Sequence, residues 1–501
     1  MADSTKRYVA VDLGIAGGKV VLASVSGGKV NTETVHEFRI PPLRIAGLDY
    51  WDIYAAYAEV LRGLSLVGLR KVSVESIGID SWGPGIVCMT KDGNILGVPR
   101  LTADVLSESV QAKFFKRMER RALYDTTGVN VLDSHSALQL FALRRAKSVA
   151  LEDAKHLSFI PSAIAYLLTG KRFCDLSTMS AAGLLDRNSK KISKEVMSAC
   201  KVKPKRFPSI VQAGSKPGKL SEEVAEATGL GRIPVVAVAG DDLASAAAAV
   251  PYAPAASHSV SSSSAPSIAS AAEGSAFLLV GAVSVIGVET ASPIVNDQTF
   301  EMNFSNEAGL AGVNLLVKRI AGTDLLVRCL ESWRDAGRAY GPEYVARMAR
   351  EGAPTEAQLD PEDPALRGVP AAPAAITRFC SLRSMATPVD DAAMVRLVLS
   401  SLAEKVGDTF VKLQSVTPFR IKTLHIVGDF SSVLGPVDAT GPDADGALES
   451  VFCQMVTDEC AVPVTAGPAD AAVLGNVLVQ AGLTRQALSA SQPPVTYTPA
   501  L

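Results

Sequence analysis

The 501-residue chain has 20% charged residues and a formal net charge of −2, and its length calls for two or more domains with room for a cleft between them. The charge balance leaves no cationic surplus for nucleic acid or an anionic membrane, so neither is expected as a partner. Seven scattered cysteines with no Cys-x-x-Cys pair, and five dispersed histidines, read as reduced thiols of an intracellular protein with no zinc site.

The N-terminus MADSTKRYVAVD enters a strand directly, without an apolar leader, and no stretch has the unbroken length of a membrane helix. A cytoplasmic protein is expected. Tyr8 to Val25 reads as two strands hinged on a glycine turn, with Asp12 at the end of the first. Gly14, Gly17 and Gly18 would bring bare backbone N–H groups close to a phosphate chain, and the carboxylate beside them is a metal ligand of the right kind. Any buried strand followed by a glycine hairpin shares this look, so the rest of the chain decides.

Trp51 to Leu69 has helical periodicity, Val72 to Asp80 is a strand, and Gly85 to Thr90 is a second one turning at Lys91-Asp92-Gly93-Asn94. Helices are expected over Ser107 to Leu123, Ala137 to Lys147 and Ile160 to Leu168, the last stopped at Thr169-Gly170-Lys171. At Ile233 the pattern restarts with PVVAVAGDDLASAAAAV, a buried strand, a turn with two aspartates and a small-residue helix. Ser275 to Glu289 is again strand, glycine, strand and echoes the opening unit. Two such units point to an internally duplicated α/β architecture that grips a nucleotide where its halves face each other. The expected division is 1–232, 233–490 and a tail at 491–501. Pro254 to Ser275, Glu351 to Pro373 and Gly435 to Gly446 are rich in Pro, Gly, Ala, Ser or acids and read as mobile surface insertions.

Taken in order, VDLG at Val11 to Gly14, Tyr50-Trp51-Asp52, IGIDSWG at Ile77 to Gly83 and LTGK at Leu168 to Lys171 carry a resemblance. It continues through DDLASA at Asp241 to Ala246, NEAG at Asn306 to Gly309, LHIVG at Leu424 to Gly428, and AGPADAAVLGN at Ala466 to Asn476. The chain resembles the FGGY carbohydrate kinases, and within them the rhamnulokinases. The resemblance implies two ribonuclease-H-like (actin/hexokinase-type) domains closing on ATP and a sugar, with Mg2+ as cofactor and these small molecules as the partners. It implies that Asp242 is the catalytic base, with Asp241 read either as its partner or as a helix cap. Asp12 would hold hydrated magnesium. Asp80, Trp82 and Gly83 would line the sugar pocket. Gly281 would belong to the second phosphate loop, and Gly428, Gly467 and Asn476 would surround the adenosine. No role follows for Asn306 and Glu307.

Several family positions differ. Ile15-Ala16-Gly17-Gly18 stands where the family has a Ser or Thr hydroxyl, and Val280-Gly281-Ala282-Val283 stands where it has Ser-Gly-Thr-Trp or similar. Removing one transition-state donor costs about 2.7–4 kcal/mol in well-studied enzymes. Gly428 is followed by Asp429-Phe430 in place of further glycines, Gly85 replaces an acidic residue, and Ala103-Asp104-Val105-Leu106 replaces an Arg-Asp-x-Arg-like segment. The expected activity is ATP-dependent phosphorylation of a ketose such as rhamnulose; the alternative is a catalytically impaired pseudokinase that binds sugar or nucleotide.

Overall fold

The structure, a computed structural model, describes residues 5–101, 106–132, 135–252, 272–369, 371–428, 448–491 and 494–499. Hence Ala103-Asp104-Val105, Asp429-Phe430, the Gly435 to Gly446 segment and most of Pro254 to Ser275 lie outside the described residues.

Two sheets organise the chain. The first contains β1 (Lys6–Gly14), β2 (Gly17–Ser26), β3 (Lys29–Arg39), β4 (Ser76–Ser81), β5 (Gly218–Lys219) and β6 (Pro234–Val236), in the order β5-β6-β4-β1-β2-β3. The second contains β7 (Ser275–Leu279), β8 (Val283–Thr290), β9 (Ser305–Ala308), β10 (Asn314–Ala321), β11 (Thr423–Val427), β12 (Val464–Ala466) and β13 (Val495–Tyr497), in the order β9-β10-β8-β7-β11-β12-β13. In each, three antiparallel strands lead into two parallel neighbours: β3-β2-β1 then β4 and β6, and β10-β8-β7 then β11 and β12. The duplication read from the two hairpins is therefore a duplication of sheet topology. Pro234–Val236, just past residue 232, pairs with β4 in the first sheet.

Between the sheets lie two small-residue helices, among them Asp242–Ala248. With α1 (Ile53–Leu69) and α2 (Leu176–Ala181) on the first half, we label that helix α3 and Ala471–Ala481 α4. One apolar cluster joins Ala10 and Val21 of the first sheet, Leu243 and Ala247 of α3, Leu474 and Val477 of α4, and Phe277, Val285 and Val317 of the second. Each half also has its own core. Small residues let α3 and α4 approach closely: a Cβ added at Gly475 would collide with the backbone carbonyl of Ser245, and Ser245 Oγ donates to Ala472 O at 3.0 Å.

Two expectations are corrected. Ser107 to Leu123 is two helices, Glu108–Phe115 and Arg120–Thr127, rather than one. At the break, the Arg117 guanidinium donates to the carbonyls of Ala199 and Ser198 at 2.9 and 3.1 Å, and Met118 is buried. Glu351 to Pro373 is not a surface insertion, because Leu359, Leu366 and Ala372 are buried in the second core. Arg328 donates to the Leu366 and Val369 carbonyls at 2.9 and 3.1 Å, and Lys405 holds Glu362 at 2.6 Å. A few apolar anchors and satisfied carbonyls outweigh a composition that otherwise favours disorder.

Candidate active site

The C-terminal ends of three neighbouring parallel strands in the first sheet carry the acidic residues. Asp12 near the end of β1 lies opposite Asp80 of β4, and Ser81 bridges to Asp241, which follows β6. Backbone bonds fix the rim: Ser81 N to Gly240 O at 2.9 Å and Trp82 N to Leu13 O at 2.8 Å. This is where open α/β sheets bind ligands.

Burial and mutual repulsion tune these carboxyls. Desolvation, and then the nearby Asp12 carboxylate, hold Asp80 well above the usual carboxylate range. Asp241 is likewise raised by desolvation and then by Asp242. Asp242 is pushed up to about 7, first by desolvation and then by Asp12, with Arg319 opposing. An acid near 7 is matched to proton transfer at neutral pH. Asp241 occupies the N-cap position of α3, yet its carboxylate accepts no bond from the helix. Its Oδ1 is buried without a partner among the described residues. Asp242 Oδ1 accepts only the adjacent Leu243 N–H, at 2.7 Å.

The first glycine hairpin forms as expected, but packing explains two of its glycines. A Cβ on Gly17 would strike the Phe38 carbonyl, and one on Gly18 would lie 2.9 Å from the Phe38 ring. The turn itself is Ile15-Ala16, with Ile15 O accepting from Trp51 Nε1 at 3.1 Å and Ala16 O from Ile40 N at 2.8 Å. Gly14 stays at the turn, at the end of β1.

Lys19, which sequence reasoning missed, faces Asp12 across the hairpin with its ammonium 3.7 Å from the carboxylate, and also bonds Asp470 just ahead of α4. A lysine in an otherwise apolar strand was the available signal. The Asp12 carboxylate is a hard oxygen donor of the kind magnesium takes, with water and phosphate oxygens as its other ligands; among the described residues no cluster of three or more His, Cys, Asp or Glu forms a ready-made cage.

Of the expected sugar-pocket residues, Trp82 is half-buried with its ring edge-on to Trp51 at 6.1 Å, and Gly83 follows it with φ at 20°. Trp82 Nε1 and Asp80 Oδ1 are buried polar atoms with no partner among the described residues. Buried polar atoms are rarely left unpaired, so these two, two residues apart in sequence, have bonds left for water or a ligand to fill.

Gly281, Gly428 and Gly467 come together at the ends of β7, β11 and β12. Val280 N donates to Val427 O at 2.8 Å, Gly428 N to Pro468 O at 3.2 Å, and Gly467 N to Ile426 O at 2.8 Å. At Gly428 glycine is required, since φ is 106° and an added Cβ would meet Val280 O at 2.5 Å. Asn476, expected at the adenosine, lies on the face of α4 that meets the first sheet. It is fully buried on α4, donating to Asp80 Oδ2 at 2.5 Å and accepting from Gln480 at 2.7 Å. Its helix packs on the first sheet, so its amide fastens the two halves together. Asn476→Ala is expected to cost about 1–3 kcal/mol in denaturant unfolding, because it removes a buried carboxyl's hydrogen-bond partner.

Asn306 and Glu307 also acquire a setting. Their strand β9 reaches across to the first half: Asn306 N donates to Gly128 O at 2.8 Å, Ser305 Oγ accepts Asn130 N at 2.9 Å, and Ala308 N donates to Ser180 Oγ at 2.9 Å. Glu307 is buried and holds the Arg319 guanidinium through both oxygens, at 2.5 and 3.2 Å.

Two ribonuclease-H-like halves packed on each other through α3 and α4, with carboxylates at the strand ends of the first sheet, make the two-domain fold of the actin/hexokinase type. The chain superposes on gluconate kinase from Lactobacillus acidophilus with a TM-score of 0.74 at 16% identity, covering 99% of this chain and 94% of that one. For glycerol kinase from Plasmodium falciparum, solved with ADP, the TM-score is 0.70 at 14% identity, covering 95% and 89%. Residues 7–248 match the N-terminal domain of the FGGY family of carbohydrate kinases. A rhamnulokinase of Bacteroides thetaiotaomicron is 33% identical over 503 residues, which is 99% of this chain and 96% of that protein. A rhamnulokinase of Pectobacterium carotovorum is 29% identical over 477 residues, covering 95% and 87%. The chain belongs to the FGGY family of carbohydrate kinases. It is a sugar kinase of the rhamnulokinase-like kind.

Proposed function

We propose that this kinase transfers the γ-phosphoryl group of ATP to a hydroxyl of a ketose, with rhamnulose the first candidate, in the cytoplasm. The observation that carries this reading is the convergence of Asp12, Asp80 and Asp242 at the ends of adjacent parallel strands, one half's phosphate hairpin beside them. The substrate follows from the rhamnulokinase relatives, matched over nearly the whole chain. Asp242 takes the acceptor hydroxyl's proton; its pKa of about 7 suits that task. Asp80 and Trp82 meet sugar hydroxyls with their unpartnered polar atoms, and Gly83 gives the sugar room. Asp12 holds magnesium, which when bound offsets phosphate charge. Gly14, Gly17, Gly18 and Gly281 border the phosphates, and Gly428 and Gly467 the adenosine. The division into two functional halves falls near residue 250, after α3.

A coupled ADP-release assay over a panel of ketoses and polyols tests this. Magnesium-dependent release stimulated by rhamnulose above the other sugars is the expected result; equal rates with every sugar, or none, would refute the substrate assignment.

A further inference from the structure

Both phosphate hairpins lack the hydroxyl donors found in the family, and the described structure holds a cation that can take over their work. Arg319 stands on β10, where Leu315 and Val317 point into the apolar cluster shared with Leu243, Ala244 and Ala247 of α3. Strand alternation puts Arg319 on that same face, one step nearer the cleft. Its neighbour across the sheet is Val285, two residues from the Gly281-Ala282-Val283 hairpin. Beyond β10 the chain returns to that hairpin: Thr323 donates its N–H and hydroxyl to Gly281 O at 2.9 and 3.1 Å. An arginine continuing a row of leucine and valine carries a charge onto an otherwise apolar face.

The guanidinium is also prepared for a ligand. Glu307, 2% exposed, grips it by two terminal N–H groups, while the arginine side chain is 33% exposed. The Nε–H and the other terminal N–H groups donate to nothing among the described residues. The anchor is tied to the acidic rim by one helix, since Ser177 Oγ of α2 accepts Asp241 N at 3.2 Å and Ser180 Oγ, one turn on, accepts Ala308 N at 2.9 Å. Burial alone would lower the arginine's pKa, but Glu307, Asp241 and Asp242 together raise it, so the charge is permanent and lies near both aspartates.

We propose that Arg319 is a catalytic residue that donates hydrogen bonds to the phosphoryl group in flight, replacing the hydroxyls lost from the two hairpins, with Glu307 as its positioning residue. In the step it assists, a bond forms between the acceptor oxygen and the γ-phosphorus and the bond from that phosphorus to the β–γ bridging oxygen breaks. The acceptor proton passes to Asp242, and the electron pair leaves with ADP. Arg319 transfers no proton; it stabilises equatorial oxygen charge, as arginines do in other phosphoryl transfers. This inference rests on the kinase reading above.

The test compares wild type with Arg319→Met, Arg319→Lys and Glu307→Gln for kcat, sugar KM, thermal stability, and binding of ADP with aluminium fluoride, a mimic of the transferring group. Arg319→Met is expected to lower kcat by roughly 10²- to 10³-fold with sugar KM within threefold. It should bind ADP like wild type but lose the added affinity for ADP with aluminium fluoride, and millimolar guanidinium should restore part of the rate. Arg319→Lys keeps a charge beside Glu307 and guards against loss of folding; it should show an intermediate kcat. Unchanged kcat, a change confined to sugar KM, or unaltered aluminium fluoride affinity in either arginine variant would overturn the proposal. If wild type releases no ADP with any sugar, or Asp242→Asn is as active as wild type, the kinase reading or its base assignment fails instead.

Discussion

Asp242→Asn is expected to lower the rate of ADP release by 10²- to 10⁴-fold and, at the same time, to make the protein more stable. The first effect follows from removing the group proposed to accept the hydroxyl proton. The second follows from linkage. With a folded-state pKa near 7 against an ordinary aspartate value of 3.8, the folded protein holds a proton on Asp242 between about pH 4 and 7 that the unfolded chain has released. Stability from this group is therefore fully present below about pH 4, falls as pH rises through 7, and stays low above it. Asparagine carries no such charge, so the variant should exceed wild type above pH 7, on the order of 4 kcal/mol, and by several degrees in melting temperature. The same titration predicts wild-type activity that rises with pH through about 7. Parallel melting curves and pH–rate profiles from pH 5.5 to 9 read both. A dead variant that melts lower would mean the residue is structural, and an active one would remove it from the chemistry.

Gly475→Ala is expected to destabilise the protein by about 1–3 kcal/mol, although helix propensity alone predicts a gain of up to about 1 kcal/mol. The two effects oppose each other, and the geometry decides. The new methyl would fall inside the van der Waals radius of Ser245 O on α3. A backbone carbonyl cannot rotate aside as a side chain can, so α3 and α4 must separate. That shift reaches Asp242 at the start of α3 and the Asn476–Asp80 bond one residue further along α4. A fall in both the unfolding midpoint and kcat is the expected outcome; a stabilised, fully active variant would show that propensity outweighs the close approach.

The fold was legible because its signals are local. Strand, glycine turn and strand appear at Tyr8 to Val25 and again at Ser275 to Glu289, and helix stops such as Gly170, with φ at 69°, need only a few residues to specify. The same locality explains what stayed hidden. That Gly17 and Gly18 also make room for Phe38, some twenty residues on, is no local signal. Glu351 to Pro373 has the composition of a solvated loop, and buried anchors such as Leu359 and Leu366 together with the distant Arg328 and Lys405 hold it against the core. Asp12, Asp80 and Asp242 were legible as motif residues, whereas the partners that tune them were not. Lys19 and Arg319 belong to no local pattern, Glu307 sits in a motif that gave it no role, and Asn476 gained its neighbour Asp80 across 396 positions of sequence. Charge inside an apolar strand face is the one trace such residues leave, at Lys19 and at Arg319 alike.

The central claim is transfer of a phosphoryl group to a sugar, and phosphorus NMR of a reaction containing the protein, ATP, magnesium and rhamnulose tests it most directly. A sugar phosphomonoester resonance growing in step with ADP, and absent with Asp242→Asn, is the predicted result. ADP accumulating with inorganic phosphate alone, or no change in ATP over hours at high enzyme concentration, would contradict it.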